Sequence, residues 1–206
     1  YCPPYTLLSS FVAKLKKTNI NIGAQNCHSS ITDGPFTGHI NSKMIKNTGC
    51  KYVIIGHSEN RIQGDTNITI NKKIKSALKE NLKVIFCIGE SLSEKKKNLT
   101  NKVLKKQVID GLKGIKKINN IIVSYEPVWS IGTGLIPKNN MLEKNLNFIS
   151  ETIKKFKGRN TNKILYGGSV NPKNVEELIK IKDIGGFLVG GSSLNSNKFV
   201  DIIKKS

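Results

Sequence analysis

Two side chains and two glycine turns carry the chemistry open to this sequence. Glu126 stands in Ser124-Tyr125-Glu126-Pro127-Val128-Trp129, at the end of an apolar run and just ahead of Ile131. Apolar surroundings disfavour a charged carboxylate and raise its basicity, which suits a general base. A lone Glu at a strand end is ordinarily a cap or an interfacial group. What sets this one apart is the Gly132-Thr133-Gly134 that follows, a stretch suited to a moving lid with free backbone N–H groups. His57 follows Tyr52-Val53-Ile54-Ile55-Gly56 and precedes Ser58-Glu59, a sequence that can open a helix. The positive end of a helix dipole favours neutral imidazole, which can donate a hydrogen bond to a carbonyl oxygen while charge develops there. Taken alone, a structural His packed at a strand end is an equal reading. His28 and His39 fall in a loop region without such context.

Gly167-Gly168-Ser169-Val170 and Val189-Gly190-Gly191-Ser192 each close a strand candidate just ahead of a helix. Glycine lets backbone N–H groups approach an oxyanion closely, and a helix N-terminus favours negative charge. One such turn means little. Two on consecutive strands outline a phosphate cradle.

The elements that must position these residues alternate. Strand candidates are Asn21–Asn26, Tyr52–His57, Lys83–Glu90, Ile121–Pro127, Lys163–Ser169 and Gly186–Ser192. They begin 31, 31, 38, 42 and 23 residues apart, the spacing of βα units. Runs such as Val84-Ile85-Phe86-Cys87-Ile88 suit parallel strands buried on both faces. Between them, Leu142, Leu146, Ile149, Ile153 and Phe156 recur at helical spacing, with Gly158 as a C-cap. Asn171-Pro172 predicts another helix, burying Val175, Leu178 and Ile179, and Leu7, Leu8, Phe11, Val12 and Leu15 an early one. Nothing resembles G-x-G-x-x-G after the first strand, which disfavours a dinucleotide site. Almost every strand instead ends in polar and Gly residues, from Gln25-Asn26 to Gly190-Gly191-Ser192. That is how a (β/α)₈ barrel builds its site. No linker or second composition regime interrupts residues 1–206, so a single α/β domain is expected.

Composition narrows the partners. Over 206 residues the net charge is +20, yet the excess comes from 32 Lys against two Arg, Arg61 and Arg159. Arg is the better reader of bases and phosphates. The Lys residues are spread over every predicted helix, and with 23 Asn and 28 Ile they fit an A/T-rich coding bias. A solvated surface is expected, with no nucleic-acid partner. No apolar run approaches the length of a spanning helix, so no membrane role is expected. Cys2, Cys27, Cys50 and Cys87 form no C-x-x-C pair and predict neither a zinc site nor a disulfide framework. A reducing, cytoplasmic setting fits them.

Seven segments, in order, carry a resemblance. They are Gly23-Ala24-Gln25-Asn26, Gly34-Pro35-Phe36-Thr37-Gly38, Ile55-Gly56-His57-Ser58-Glu59, Cys87-Ile88-Gly89-Glu90, Tyr125-Glu126-Pro127-Val128-Trp129 through Gly134, Tyr166-Gly167-Gly168-Ser169-Val170 and Leu188-Val189-Gly190-Gly191. The sequence resembles the triosephosphate isomerases. The resemblance implies interconversion of glyceraldehyde 3-phosphate and dihydroxyacetone phosphate in glycolysis and gluconeogenesis, by a cytoplasmic homodimer without cofactor or metal. For this family the Glu base, neutral His and closing lid are the type example of their kind. By resemblance, Glu126 moves the proton between the two carbons and His57 polarises the carbonyl. Gly132, Ser169, Gly190 and Gly191 bind the phosphate through backbone N–H groups. Residues Pro127–Pro137 form the lid, with Ile131 and Leu188 covering the Glu126 carboxylate. Ser58 and Glu59 support the site from beside His57, and Thr37 sits at the dimer contact close to Glu59.

The sequence departs from the family in four places. A barrel of this type runs to about 250 residues, so this chain is roughly 44 short. Pro3-Pro4 aligns just after the family's second strand, so six of eight strands are expected here. The Asn-Trp-Lys-Met motif, whose Lys stabilises the dianionic substrate, is then absent. The expectation is a fragment of a longer, ordinary enzyme, the alternative being an incomplete phosphate-binding barrel lacking that Lys. His39 stands where the family has Glu and Asn60 where it has Arg, removing a charge each from the subunit contact. Leu135-Ile136 replaces a Lys-led hinge. Isomerases of aminated sugar phosphates share the double Gly cradle but lack the Glu-Pro-Val-Trp lid.

Overall fold

The apolar runs become six parallel strands: β1 (Gly23–Ala24), β2 (Tyr52–Ile55), β3 (Lys83–Ile88), β4 (Ile121–Tyr125), β5 (Ile164–Tyr166) and β6 (Ile184–Phe187). They lie in one sheet in chain order. The computed structural model describes residues 1–116, 118–158 and 164–206. Lys163, with which the fifth predicted strand begins, lies outside them. The described residues form two units, Tyr1–Cys87 with Asp110–Ile122 and Ile88–Ile109 with Val123–Ser206.

In the first unit β2 pairs with β1 through Gly23↔Tyr52 and with β3 through four rungs ending at Ile55↔Phe86. β1 is two residues long where six were predicted. Around it, the Gly23 N–H donates to the Tyr1 carbonyl, Gln25 Nε2 donates to the Cys2 carbonyl, and the Ile22 carbonyl accepts from the Lys51 N–H at 2.8 Å. Helices α1 (Leu8–Leu15), α2 (Ser42–Asn47), α3 (Ser58–Ile62) and α4 (Asn67–Lys79) accompany these strands. Helix α4 starts where the Thr66 hydroxyl accepts from the Thr69 N–H, and it buries Ile70, Ile74 and Ala77 at i, i+4, i+7. With Val53, Ile55, Val84 and Phe86 these make the core of the unit. Of the residues predicted to anchor α1, only Leu8 is buried.

The second unit holds α5 (Leu92–Lys96), most of α6 (Thr100–Gly111), α7 (Asn139–Lys157), α8 (Val175–Leu178) and α9 (Ser196–Lys205). Helix α7 buries Leu142, Leu146, Ile149 and Ile153 as predicted, and Gly158 closes it at φ 66° in the left-handed region glycine tolerates. Phe156, one turn on and read as part of the same apolar face, is exposed. Helix α8 begins later than Asn171-Pro172 suggests. The Asn174 side chain accepts from the Asn171 N–H, and the Asn171 side chain from the Lys173 N–H, which holds these residues in a turn. Strand β6, Ile184–Phe187, begins two residues ahead of its predicted span of Gly186–Ser192 and shares only Gly186 and Phe187 with it. A register shift at Ile164/Leu165 lets Leu165 pair with Gly186, at φ 143°, and the polar residues beyond Phe187 fall outside the ladder. Among the described residues no helix is long and apolar enough to cross a membrane.

Candidate active site

Glu126 leaves the end of β4 with its N–H donating to the Ile88 carbonyl at 2.8 Å. Its side chain is 2 % exposed, and the Ser124 hydroxyl donates to its Oε1 at 3.1 Å. Two residues apart on a strand, Ser124 and Glu126 point to the same side, so the hydroxyl steers the carboxylate. The site has no room for larger neighbours. A Cβ on Gly167 would come within 3.0 Å of Glu126 Oε1 and Ser124 Oγ, and one on Gly89 would meet the Glu126 carbonyl. Gly89 is pinned in turn by Gln107, whose amide accepts from the Gly89 N–H at 2.8 Å and donates to the Gly89 carbonyl at 3.0 Å.

The segment after Glu126 turns through a short 3₁₀ stretch, Val128–Ser130, and leads to exposed Gly132 and Gly134, both at positive φ. Ser169 ties this segment down. Its hydroxyl donates to the Ser130 carbonyl at 2.6 Å and accepts from the Gly134 N–H at 3.0 Å, while its own N–H meets Ser130 Oγ at 3.3 Å. Tyr166 reaches the same Ser130 hydroxyl at 3.1 Å. The predicted lid and one glycine turn are thus joined through two serines. The second turn, Gly190-Gly191, is exposed, and the Gly190 carbonyl accepts from both the N–H and the hydroxyl of Ser193. Ile131 and Leu188 are half-buried, and the Leu188 N–H continues the ladder to the Tyr166 carbonyl at 3.0 Å.

At Trp129, in the 3₁₀ stretch that follows Glu126, lies a cluster that sequence reasoning missed. Glu90 is 1 % exposed and accepts from the Trp129 indole at 2.9 Å and the Tyr125 hydroxyl at 3.1 Å, while Asn145 donates to Tyr125 at 2.7 Å. Burial pushes the Glu90 carboxyl above the ordinary carboxylate range, and the Trp129 donor opposes that rise. Sequence showed Glu90 only as a strand-end acid, because its partners lie 35 and 39 residues away.

The first unit carries the remaining predicted residues. His57 caps α3, and its Nδ1 accepts from the Glu59 N–H at 3.4 Å and lies 3.8 Å from the Glu59 carboxylate. Ser58 is buried and Glu59 exposed in the first turn. Thr37 is exposed in a tight loop where the His39 N–H returns to the Phe36 carbonyl at 3.0 Å. At the foot of that loop the His28 and His39 rings stack with centroids 4.5 Å apart. Among the described residues no three His, Cys, Asp or Glu side chains gather as metal ligands would.

A family model described as triosephosphate isomerase matches residues 1–206. The chain belongs to the triosephosphate isomerase family. It is 42% identical to triosephosphate isomerase of Chlorobium luteolum, over 98% of this chain and 82% of that protein. It is 43% identical to that of Geotalea uraniireducens, over 99% and 83%. The crystal structure of triosephosphate isomerase from Bartonella henselae superposes with a TM-score of 0.91 at 35% identity, covering 99% of this chain and 84% of that one. The six strands are therefore six strands of a TIM barrel, and the chain is an isomerase by family.

Proposed function

We propose that this isomerase interconverts dihydroxyacetone phosphate and glyceraldehyde 3-phosphate with Glu126 as the base. The observation that carries this reading is a carboxylate, buried at a strand end and steered by Ser124, at the head of a segment fastened to Ser169. Glu126 takes a proton from C1 of dihydroxyacetone phosphate, and the C–H electrons move through C2 onto the carbonyl oxygen. The N–H at His57 Nε2 donates to that oxygen as charge develops there. His57 then passes the proton on the C1 oxygen to the C2 oxygen, and the protonated Glu126 returns its proton to C2 as the C1–O bond becomes the aldehyde carbonyl. The backbone N–H groups of Gly132, Ser169, Gly190 and Gly191 hold the phosphate, with the Ser169 N–H exchanging its long contact to Ser130 Oγ for a phosphate oxygen. Ile131 and Leu188 cover the carboxylate when the lid shuts.

The exposed loop around Thr37 is the proposed contact with a second copy in a homodimer, and a single cytoplasmic domain without cofactor is the proposed setting. The test of the chemistry is solvent exchange. In D₂O the enzyme should introduce deuterium at the carbon that Glu126 serves, and Glu126→Gln should abolish both exchange and isomerisation with the fold intact. Exchange that persists in Glu126→Gln would assign the base elsewhere. Sedimentation velocity giving only monomers would remove the dimer.

A further inference from the structure

The ladder between β2 and β3 ends at the rung Ile55↔Phe86. The next residues along the two strands are Gly56 and Cys87, and one side chain takes both of their carbonyls. Arg61 Nε donates to the Gly56 carbonyl at 2.7 Å, and one terminal nitrogen donates to the Cys87 carbonyl at 3.1 Å. The other terminal nitrogen donates to Asn67 Oδ1 at 2.8 Å, and Asn67 Nδ2 in turn donates to Asp110 at 3.1 Å. The guanidinium thereby replaces a missing rung at the point where the chain leaves the sheet. Its plane and fork suit this; a lysine ammonium presents no such fixed geometry.

The backbone of Arg61 holds the same place from the other side. Its N–H donates to the His57 carbonyl at 3.1 Å. One residue therefore binds the carbonyl before His57 with its side chain and the carbonyl of His57 with its main chain. Gly56 makes this possible. At φ 85° it turns its carbonyl toward the arginine, and a Cβ there would come within 2.9 Å of the Cys87 carbonyl and 3.2 Å of the guanidinium. Arg61 thus holds the peptide carbonyl on each side of the His57 Cα.

We propose that Arg61 is a positioning residue for His57, fixing the two peptides on either side of it and so the direction in which Nε2 points. The proposal rests on the reading of His57 as the group that polarises the carbonyl. An arginine needed only for folding would change stability; one that aims an imidazole changes turnover, because a misplacement of about 1 Å can cost on the order of 10²-fold in rate.

The test uses the full natural enzyme with Arg61→Lys, Arg61→Ala, His57→Gln and the Arg61→Ala/His57→Gln double variant. Arg61→Lys, which keeps the charge and loses the fork, is expected to lower kcat by about 10- to 10²-fold with KM within about twofold. The double variant is expected to be no slower than His57→Gln, since residues acting through one group are not additive. Millimolar guanidinium should restore part of the kcat of Arg61→Ala and none of the double variant's. Full turnover in Arg61→Lys would overturn the proposal, as would additive losses in the double variant. If His57→Gln itself keeps full turnover, the underlying reading of His57 fails first, and the two failures are told apart.

Discussion

The indole N–H of Trp129 donates to the buried Glu90 carboxylate at 2.9 Å, and the Lys95 ammonium lies 3.3 Å above the same ring. Trp129 is the middle residue of the 3₁₀ turn Val128–Ser130, so the root of the proposed lid is held on a buried acid. Tyr125 and Asn145 complete the chain of donors, and Tyr125 is the last residue of β4, directly before Glu126. Buried Glu90 and Glu126, the proposed base, are thereby held by one strand end.

Trp129→Phe keeps the ring and its cation contact but removes the donor. A buried acceptor deprived of one donor costs about 1–3 kcal/mol. Urea denaturation should show that loss for Trp129→Phe. An unchanged midpoint would mean that the carboxylate finds a replacement donor.

The same carboxylate makes a pH prediction. Its folded value is raised by burial, so its contribution is full below the unfolded carboxyl value and lost as pH rises through the folded one. Glu90→Gln should therefore gain stability relative to the wild type as pH rises from about 4, near the ordinary Glu value. Thermal melts of both proteins across pH 4 to 8 would reveal it; parallel curves would exclude Glu90 as the group responsible.

Much of this was legible in the sequence, and the parts that were not share a cause. Strands such as Val84–Ile88 announce themselves because both faces are buried, and α7 because its apolar residues keep one spacing up to Gly158. Glu126, Ser169 and the glycine turns stand out because their neighbours in sequence complete the pattern. Arg61, Lys73 and Glu90 do not. Lys73 reads as one lysine among 32, yet its side chain is 8 % exposed, binding Asp65 at 2.6 Å and Asn26, 47 residues away, at 3.1 Å. Asn26 also donates to Asn60 at 2.8 Å, so the position read as a lost interface charge serves an internal network. A partner distant in sequence leaves no local periodicity to detect.

Shortening the proposed base tests its placement. Glu126→Asp keeps the charge and withdraws the carboxylate by one methylene from where Ser124 steers it. Turnover should fall by about 10²-fold while the melting temperature stays near that of the wild type. Unchanged kinetics would remove Glu126 from the mechanism.

Gly89→Ala tests how tightly the strand ends are packed. Its new Cβ would run into the Glu126 carbonyl, a backbone atom with no flexible side chain to yield. Overpacking of this kind costs typically about 1–3 kcal/mol, and here it would also move the base. Loss of stability together with turnover is expected from denaturation and steady-state assays, and a variant that loses neither would show that the two strand ends can separate freely.

The loop that carries Thr37 should weaken in mild acid. Burial lowers the His28 value below the ordinary imidazole range, with His39 and then Lys73 adding to the effect. His39 faces His28 as a stacked ring and Lys73 faces it from α4, where Asp65 already binds the ammonium. The folded state therefore takes up the proton less readily than the unfolded chain. Stability from this group is full above about 6.5, the unfolded value, and is lost as pH falls through the lower folded value. Melting temperature should decline between pH 7 and 5, and the decline should be shallower in His28→Gln, which has no proton to take up. Equal slopes in the two proteins would assign the acid sensitivity to other groups.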